Sequence, residues 1–262
     1  MTDAFAQVAV LPGVRAASDS ARAAVDGLFW DRGLRDRLGS IAGLVSSNEA
    51  RASAALDGVD LPLDLVVSGA ALDETPMGKV VAAALRATGE ARADAALIDS
   101  TPLQLLARLA TQVGRDFLPD DALGRPRSDD HPDDPLHLGG LPPVEQVLPR
   151  LLALSRLLAG PTGAPALVVS AVVHGELLAL RPFGFGSGLV ARAAGRAVLL
   201  ARSVDPVAVL APSAGLAFLG RSAYVTAARA YLGGTPGGLA AWVVHCCLAV
   251  ERAVDETRGL LA

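Results

Sequence analysis

Lysine is almost absent from this 262-residue chain: Lys79 is the only one, and every other basic residue is an arginine. With a formal net charge of −4 and a pI near 5.6, the chain lacks the clustered positive charge that a nucleic-acid surface needs. Cysteine is nearly as scarce. Cys246 and Cys247 are the only two and are adjacent, so no disulfide framework can be built and a reducing cytoplasm is the expected setting. Long apolar runs are missing as well, although hydrophobic residues make up 52% of the chain and mean hydropathy is +0.42. A spanning helix needs about 20 apolar residues in a row, and the best candidates, Ala164 to Val173 and Leu239 to Val250, are shorter and read as core helices; no membrane partner is expected. Near the N-terminus Asp3 stands where a secretory signal carries positive charge, and Pro12-Gly13 interrupts the short apolar run. Internal repeats, a P-loop, a Rossmann fingerprint and a G-x-S-x-G elbow are all absent.

The periodicity that is present is helical, and strand-like alternation is rare. Ser18 to Gly27 reads as a helix capped by Ser18 or Asp19, and Asp31 to about Leu56 as a second one capped by Asp31. In the second, Leu34, Leu38, Ile41, Leu44 and Val45 form one apolar stripe. Ala70 to Gly89 is helical with an unclear start; Thr101 to Phe117 has Thr101 as N-cap and Pro102 at the first position. Further helices are expected over Val144 to Ala159, Ala164 to Leu180, Leu189 to Ala201, Val204 to Gly220 running into Ser222 to Leu232, and Leu239 to Arg258. Pro62 to Ser68 alternates only loosely. Pro119 to Pro143, rich in proline, glycine and aspartate, must be mostly irregular. Residues 1–60 are read as an N-terminal helical segment and 61–262 as the core, a length that suffices to bury one large interior.

The stretch around which the chain is organised is HGELLALRPFGFGSGLVAR, His174 to Arg192. A buried helix stops at Arg181-Pro182, passes a loop with Gly184, Gly186 and Gly188, and restarts as a helix from about Leu189. A glycine-rich turn ahead of a helix start is suited to anions: the first N–H groups of that helix have no intrahelical partner and carry its positive dipole end. Glycine also serves simply to turn a chain.

Spacing adds to glycine content here. Read as R-P-F-x-F-G-S-G-L-x-x-R, residues 181–192 resemble the signature loop of the Fic (Fido) family of AMP transferases, H-x-F-x-[D/E]-G-N-G-R-x-x-R. Phe183, Gly186, Gly188 and Arg192 match. The same alignment sets Arg181 at the catalytic His, Phe185 at the acidic metal ligand, Ser187 at the Asn and Leu189 at the first Arg. Ser53, Asp57 and Gly58 resemble the family's inhibitory motif [S/T]-x-x-x-E-[G/N], with Asp for Glu, although Gly58 alone reads as an ordinary helix C-cap. Gly124 to Arg127 and Gly139 to Glu145 look like the two sides of the family's flap, a β-hairpin within 119–143 that holds a target protein's segment. The last helix, with its early Trp242, resembles the family's closing helix.

The resemblance implies an all-α Fic-like domain with a small β-hairpin flap and an N-terminal inhibitory-type helix. It also implies that Asp57 pairs with Arg192. Its catalytic half is altered: an arginine, always protonated, cannot serve as the base that a His supplies, and Phe185 offers magnesium no oxygen. Standard AMP transfer is therefore not expected, no metal site is assigned, and magnesium is not expected to be held. An anion or nucleotide site, for ATP or a relative, remains from Arg181, Gly186, Ser187, Gly188 and Arg192. Alternatively Arg181 pairs with Asp57 or a flap aspartate and seals a dead pocket. A regulatory binding protein, a transferase with a non-standard mechanism, and a purely structural interaction module with a protein partner at the flap all stay open, and the composition permits a homo-oligomer.

Three further groups read as structural. His174 lies seven residues before Arg181, two turns and about 10.5 Å along a helix axis, which suits packing better than replacement of a base. His245, Cys246 and Cys247 fall in the apolar stretch of the last helix. Asp129, Asp130, His131, Asp133, Asp134 and His137 lack the ordered spacing of a calcium loop and read as a solvated, mobile segment.

Overall fold

The computed structural model describes residues 3–261, leaving out the side chains of Leu34 and Arg35. The first helices are α1 (Ala4–Ala9), α2 (Val14–Trp30), α3 (Arg32–Arg35), α4 (Leu38–Leu56), α5 (Leu63–Ser68), α6 (Pro76–Ala93), α7 (Leu97–Ser100) and α8 (Pro102–Gly114). After an irregular stretch follow α9 (Val147–Ala159), α10 (Ala166–Leu180), α11 (Ser187–Ala201), α12 (Pro212–Leu219), α13 (Arg221–Leu232) and α14 (Pro236–Leu261). Proline at the first position starts α6, α8, α12 and α14, where its missing N–H costs nothing. The Thr75 and Thr235 hydroxyls accept from Gly78 and Gly238 N–H at 3.1 Å, capping α6 and α14.

Several expected boundaries move. Ser18 is no cap: α2 begins at Val14 after a left-handed Gly13, and Ser18 is buried in its interior. The helix expected from Asp31 is broken near its start, where the Asp31 carboxylate turns back to accept the Gly33 N–H at 2.8 Å, and α4 begins only at Leu38. The expected stripe of α4 includes Leu34, whose side chain lies outside the described residues. Leu63–Ser68 is a helix, and the stretch before Pro212 is not.

At the centre lies α10, apolar on every side and therefore buried on every side. It packs along α11 and against α14, while α14 also carries α2, α12 and α13. On the other flank α4, α6 and α8 follow one another and cover α11. One apolar cluster runs from Phe5 and Val25 through Leu56, Leu105 and Val173 to Trp242 and Val254, so the first sixty residues share a core with the rest. Among the described residues α14 alone has the length and apolar content of a membrane span, and half of that stretch is buried, including Trp242, Val243 and Cys247.

No strand occurs among the described residues, which corrects the expected β-hairpin flap. The reason lies in where its backbone hydrogen bonds go. Pro119, Pro126, Pro132, Pro135, Pro142 and Pro143 have no N–H to donate. The donors that remain reach across to the signature loop instead: Arg127 N–H to Pro182 O at 2.8 Å and Asp133 N–H to Gly184 O at 3.1 Å. The flap is an irregular strap, with 3₁₀ turns at Asp120–Ala122 and Val144–Gln146.

Close helix approach sets one clear test. A methyl group added at Gly215 on α12 would stand 1.9 Å from the Ala249 carbonyl oxygen of α14. Gly215→Ala is therefore expected to push these helices apart at a cost of about 1–3 kcal/mol, lowering the thermal midpoint by several degrees. An unchanged midpoint would show that α12 does not pack on α14 in this way.

Candidate functional site

Because α10 ends under the loop, Arg181 must reverse the chain. It does so in the left-handed region (φ 42°, ψ 63°), with its N–H on Leu177 O at 3.0 Å. That conformation is costly for a residue with a Cβ, and its side chain holds it there. Nη2 donates to Gly139 O at 2.6 Å and Nη1 to the Asp134 carboxylate at 3.1 Å, both on the strap. Of the two expected partners, Arg181 thus takes a flap aspartate and not Asp57. Its Nε is buried without a partner. Burial lowers its pKa from the usual arginine value, with Asp134 opposing.

Beyond Pro182 the loop closes on itself. Phe183 is buried, and its N–H donates to Ser187 Oγ while Ser187 O–H returns to Phe183 O, both at 3.1 Å. Phe185 stacks on Phe117 with ring centroids 3.7 Å apart. Gly186 sits at φ 64°, and a Cβ there would stand 2.3 Å from Val113 Cγ1, so glycine is required twice over. The helix then starts at Ser187, two residues earlier than the sequence suggests, which brings Gly188 into its first turn.

That first turn is not empty. A methyl group at Gly188 would stand 3.0 Å from both Asp57 carboxylate oxygens. Asp57 Oδ2 accepts from Arg192 Nη2 at 2.6 Å, while Oδ1 is buried and has no hydrogen-bond partner. Arg192, 3% exposed, also donates through Nε to Ser53 Oγ at 2.7 Å, through Nη2 to Ser53 O at 3.0 Å, and through Nη1 to Tyr224 OH at 3.2 Å. Gly58 (φ 98°) ends α4 with its N–H on Ala55 O, and Val59 N–H reaches Ala54 O. The C-cap and the pairing with Arg192 therefore occur together, the cap aiming Asp57 at α11.

A second carboxylate comes from the strap. Asp133 is half-buried, with its carboxylate close to the Gly186 N–H and to Asp57. Burial and then the nearby Asp57 charge push its carboxyl above the usual range, with the Gly186 N–H pulling the other way. The acidic segment is thus anchored where a solvated loop was expected: Asp134 pairs with Arg181, and Leu136 and Leu138 are buried. Arg127 fastens it, with Nε on Arg181 O at 3.0 Å, Nη1 on the Asp130 carboxylate at 2.9 Å and Nη2 on Pro142 O.

His174 lies behind this arrangement. Its Nε2 faces Tyr224 OH at 2.8 Å and its ring meets Trp242 edge-on at 4.9 Å. Burial, then the Arg192 and His245 charges, hold its imidazole well below the usual range, so it stays neutral. Tyr224 links it to Arg192. One α4 residue escaped the sequence reading. Buried Glu49 accepts from Ser213 N–H at 2.8 Å and Ser213 O–H at 2.6 Å, and its spacing of four and eight residues before Ser53 and Asp57 was the available signal.

No protein-family model matches the sequence, and no curated protein matches it significantly. Solved structures do match. A Fic family protein from Desulfovibrio desulfuricans superposes with a TM-score of 0.74 at 18% identity, covering 96% of this chain and 75% of the other. Fic-1 from C. elegans gives 0.69 at 17% identity over 94% of this chain and 72% of its own, and a variant of it gives 0.65 at 16% identity over 94% and 73%. The chain has the Fic fold. Phe185 offers a cation no oxygen at this loop, and its ring is spent on Phe117. Histidine, cysteine, aspartate and glutamate form no group of three or more suited to a metal among the described residues of this Fic fold.

Proposed function

We propose that this chain is a Fic-fold protein that does not transfer AMP and works by binding, through an anion site at the first turn of α11. The observation that carries this reading is that two of the chain's own carboxylates, Asp57 and Asp133, converge on that turn despite repelling one another. A helix start with Arg192 behind it attracts negative charge strongly enough to hold both. A nucleotide phosphate would take the place of Asp133, which is the less firmly held because it lies on the strap and has no arginine of its own. Chemistry is a different demand. Arg181 stays protonated near neutral pH and His174 is buried behind Arg192, so neither offers a base to a target hydroxyl. The exposed residues of the strap, Arg125 and His131 among them, supply a surface for a protein partner.

A second reading has its own support. The Arg181 guanidinium, the Ser187 hydroxyl and the Arg192 guanidinium all bond within the chain, which suits a sealed scaffold kept for protein contacts. Thermal unfolding with ATP, GTP and AMP, each with and without magnesium, separates the two. A ligand that binds only the folded state at a hundredfold excess over Kd adds about 2.7 kcal/mol, a rise of roughly 5–10 °C for a chain of this size. We expect that rise with at least one nucleotide and without a magnesium requirement. A midpoint unmoved by all three would discard the anion site and leave the scaffold.

A further inference from the structure

Two polar rungs tie α11 to its neighbours, one turn apart. The first is Arg192 with Ser53, Asp57 and Tyr224, in which each guanidinium nitrogen has a partner. The second is Arg196, and it is unfinished. Its side chain is 2% exposed, Nη2 only reaches Ala208 O at 3.5 Å, and Nε and Nη1 have no partner. Glu49, whose charge acts on Arg196, spends both oxygens on Ser213. A buried guanidinium with idle N–H groups carries a large desolvation cost.

Arg196 lines a cavity of about 30 Å³ between α10, α11, α12 and α14, together with Ser170, His174, Ser213, Leu216 and Cys246. Two hydroxyls there have spare lone pairs: Ser170 O–H donates to Gly195 O at 2.8 Å and Ser213 O–H to Glu49, leaving each oxygen free to accept. One water needs roughly 10–15 Å³ of such volume and two to four polar partners. The volume therefore admits about two.

Charge decides between water and a small anion. The cation at Arg196 is felt by two buried carboxylates, Glu49 and Asp205, both pushed up by burial and drawn back by Arg196 among other groups. Arg192 lines the cavity too, but its charge is paired with Asp57, so Arg196 faces Glu49 and Asp205 with no positive surplus left for a halide. An apolar cavity of this size would stay dry, but idle N–H donors make a dry one costly here.

We propose that this cavity is a built-in site for ordered water, about two molecules that accept from Arg196 Nε and Nη1 and donate to the Ser170 and Ser213 hydroxyls. The water completes the second rung and, through Ser213 and Glu49, joins α11 to α12 and to the helix that carries Ser53 and Asp57. The test is a crystal structure of the intact chain grown in sodium bromide, with data at the bromine edge and at a resolution that places waters. The expected result is density within hydrogen-bonding distance of Nε or Nη1, refining as water, with no anomalous signal in the cavity. An anomalous peak there would replace water by a halide, and a cavity without density would make it dry; either overturns the proposal. Crystals of Arg196→Met, whose side chain fills similar space without donors, are expected to lose that density while the Ser213–Glu49 contact persists; water unmoved by this change also overturns it.

Discussion

Replacing Arg192 by alanine is expected to cost about 3–5 kcal/mol of stability, because it removes one side of a buried ion pair and leaves the other in place. The Arg192 side chain is 1% exposed and that of Asp57 7%. Without the guanidinium, Asp57 Oδ2, Ser53 Oγ, Ser53 O and Tyr224 OH each lose a donor at once. The pair itself is no guarantee of net stability, since taking two charges out of water offsets much of their attraction. What makes the single change severe is the stranded carboxylate. One consequence separates this account from simple loss of packing. Removing the charge by Asp57→Asn in the same chain should restore part of the lost stability, a positive coupling in a double-mutant cycle. Urea unfolding of the two single variants and the double variant reads it. A deficit below about 1 kcal/mol, or no recovery in the double variant, would show that Asp57 escapes to water when Arg192 is gone.

The same residues explain what could be read in advance. Helices announce themselves locally, through spacing and through Thr-Pro starts, and α10 was legible because it is apolar on every side. Ser53, Asp57 and Arg192 were legible as a set only through the resemblance, since 135 residues separate the last two. Three features had no local signal. Asp133 lies in a run of aspartates that by composition belongs in water, and only the fold brings one of them to the α11 start. The absence of a hairpin depends on where N–H groups find acceptors, which here is the signature loop. The start of α11 at Ser187 instead of Leu189 follows from the closed Phe183–Ser187 pair of hydrogen bonds, a tertiary detail of the turn. The altered positions of the signature loop are thus absorbed into packing: Phe185 stacks, Ser187 ties the loop to itself, and Arg181 fastens the strap. A loop that binds its own chain so thoroughly keeps the Fic fold with these positions turned inward.

Whether the proposed anion site can open depends on Arg127, and Arg127→Ala is expected to release the strap without unfolding the domain. Its side chain is 1% exposed and bridges three parts of the chain: Arg181 O at 3.0 Å on the loop, the Asp130 carboxylate at 2.9 Å within the strap, and Pro142 O near its far end. Hydrogen bonds to a charged group contribute about 1.5–3 kcal/mol each, and neighbours that share one side chain are not additive. A loss of about 3 kcal/mol from the closed state is a conservative sum, equivalent to roughly a hundredfold rise in opening. Hydrogen exchange should report it at the Arg127 position and at the Asp133 N–H, which bond to Pro182 O and Gly184 O, with little change at amides of α10. If exchange in the strap stays slow, the Arg181–Asp134 pair and the burial of Leu136 and Leu138 hold it without Arg127. If it rises as expected, Asp133 is drawn away from Gly186 more often, and the helix start it covers becomes available to a phosphate. A nucleotide that binds the unaltered protein should then bind Arg127→Ala more tightly, even though the variant has lost a positive charge beside the site. Tighter binding after removal of an arginine is an outcome that electrostatics alone would not produce, and it would identify the strap as what limits access to the anion site.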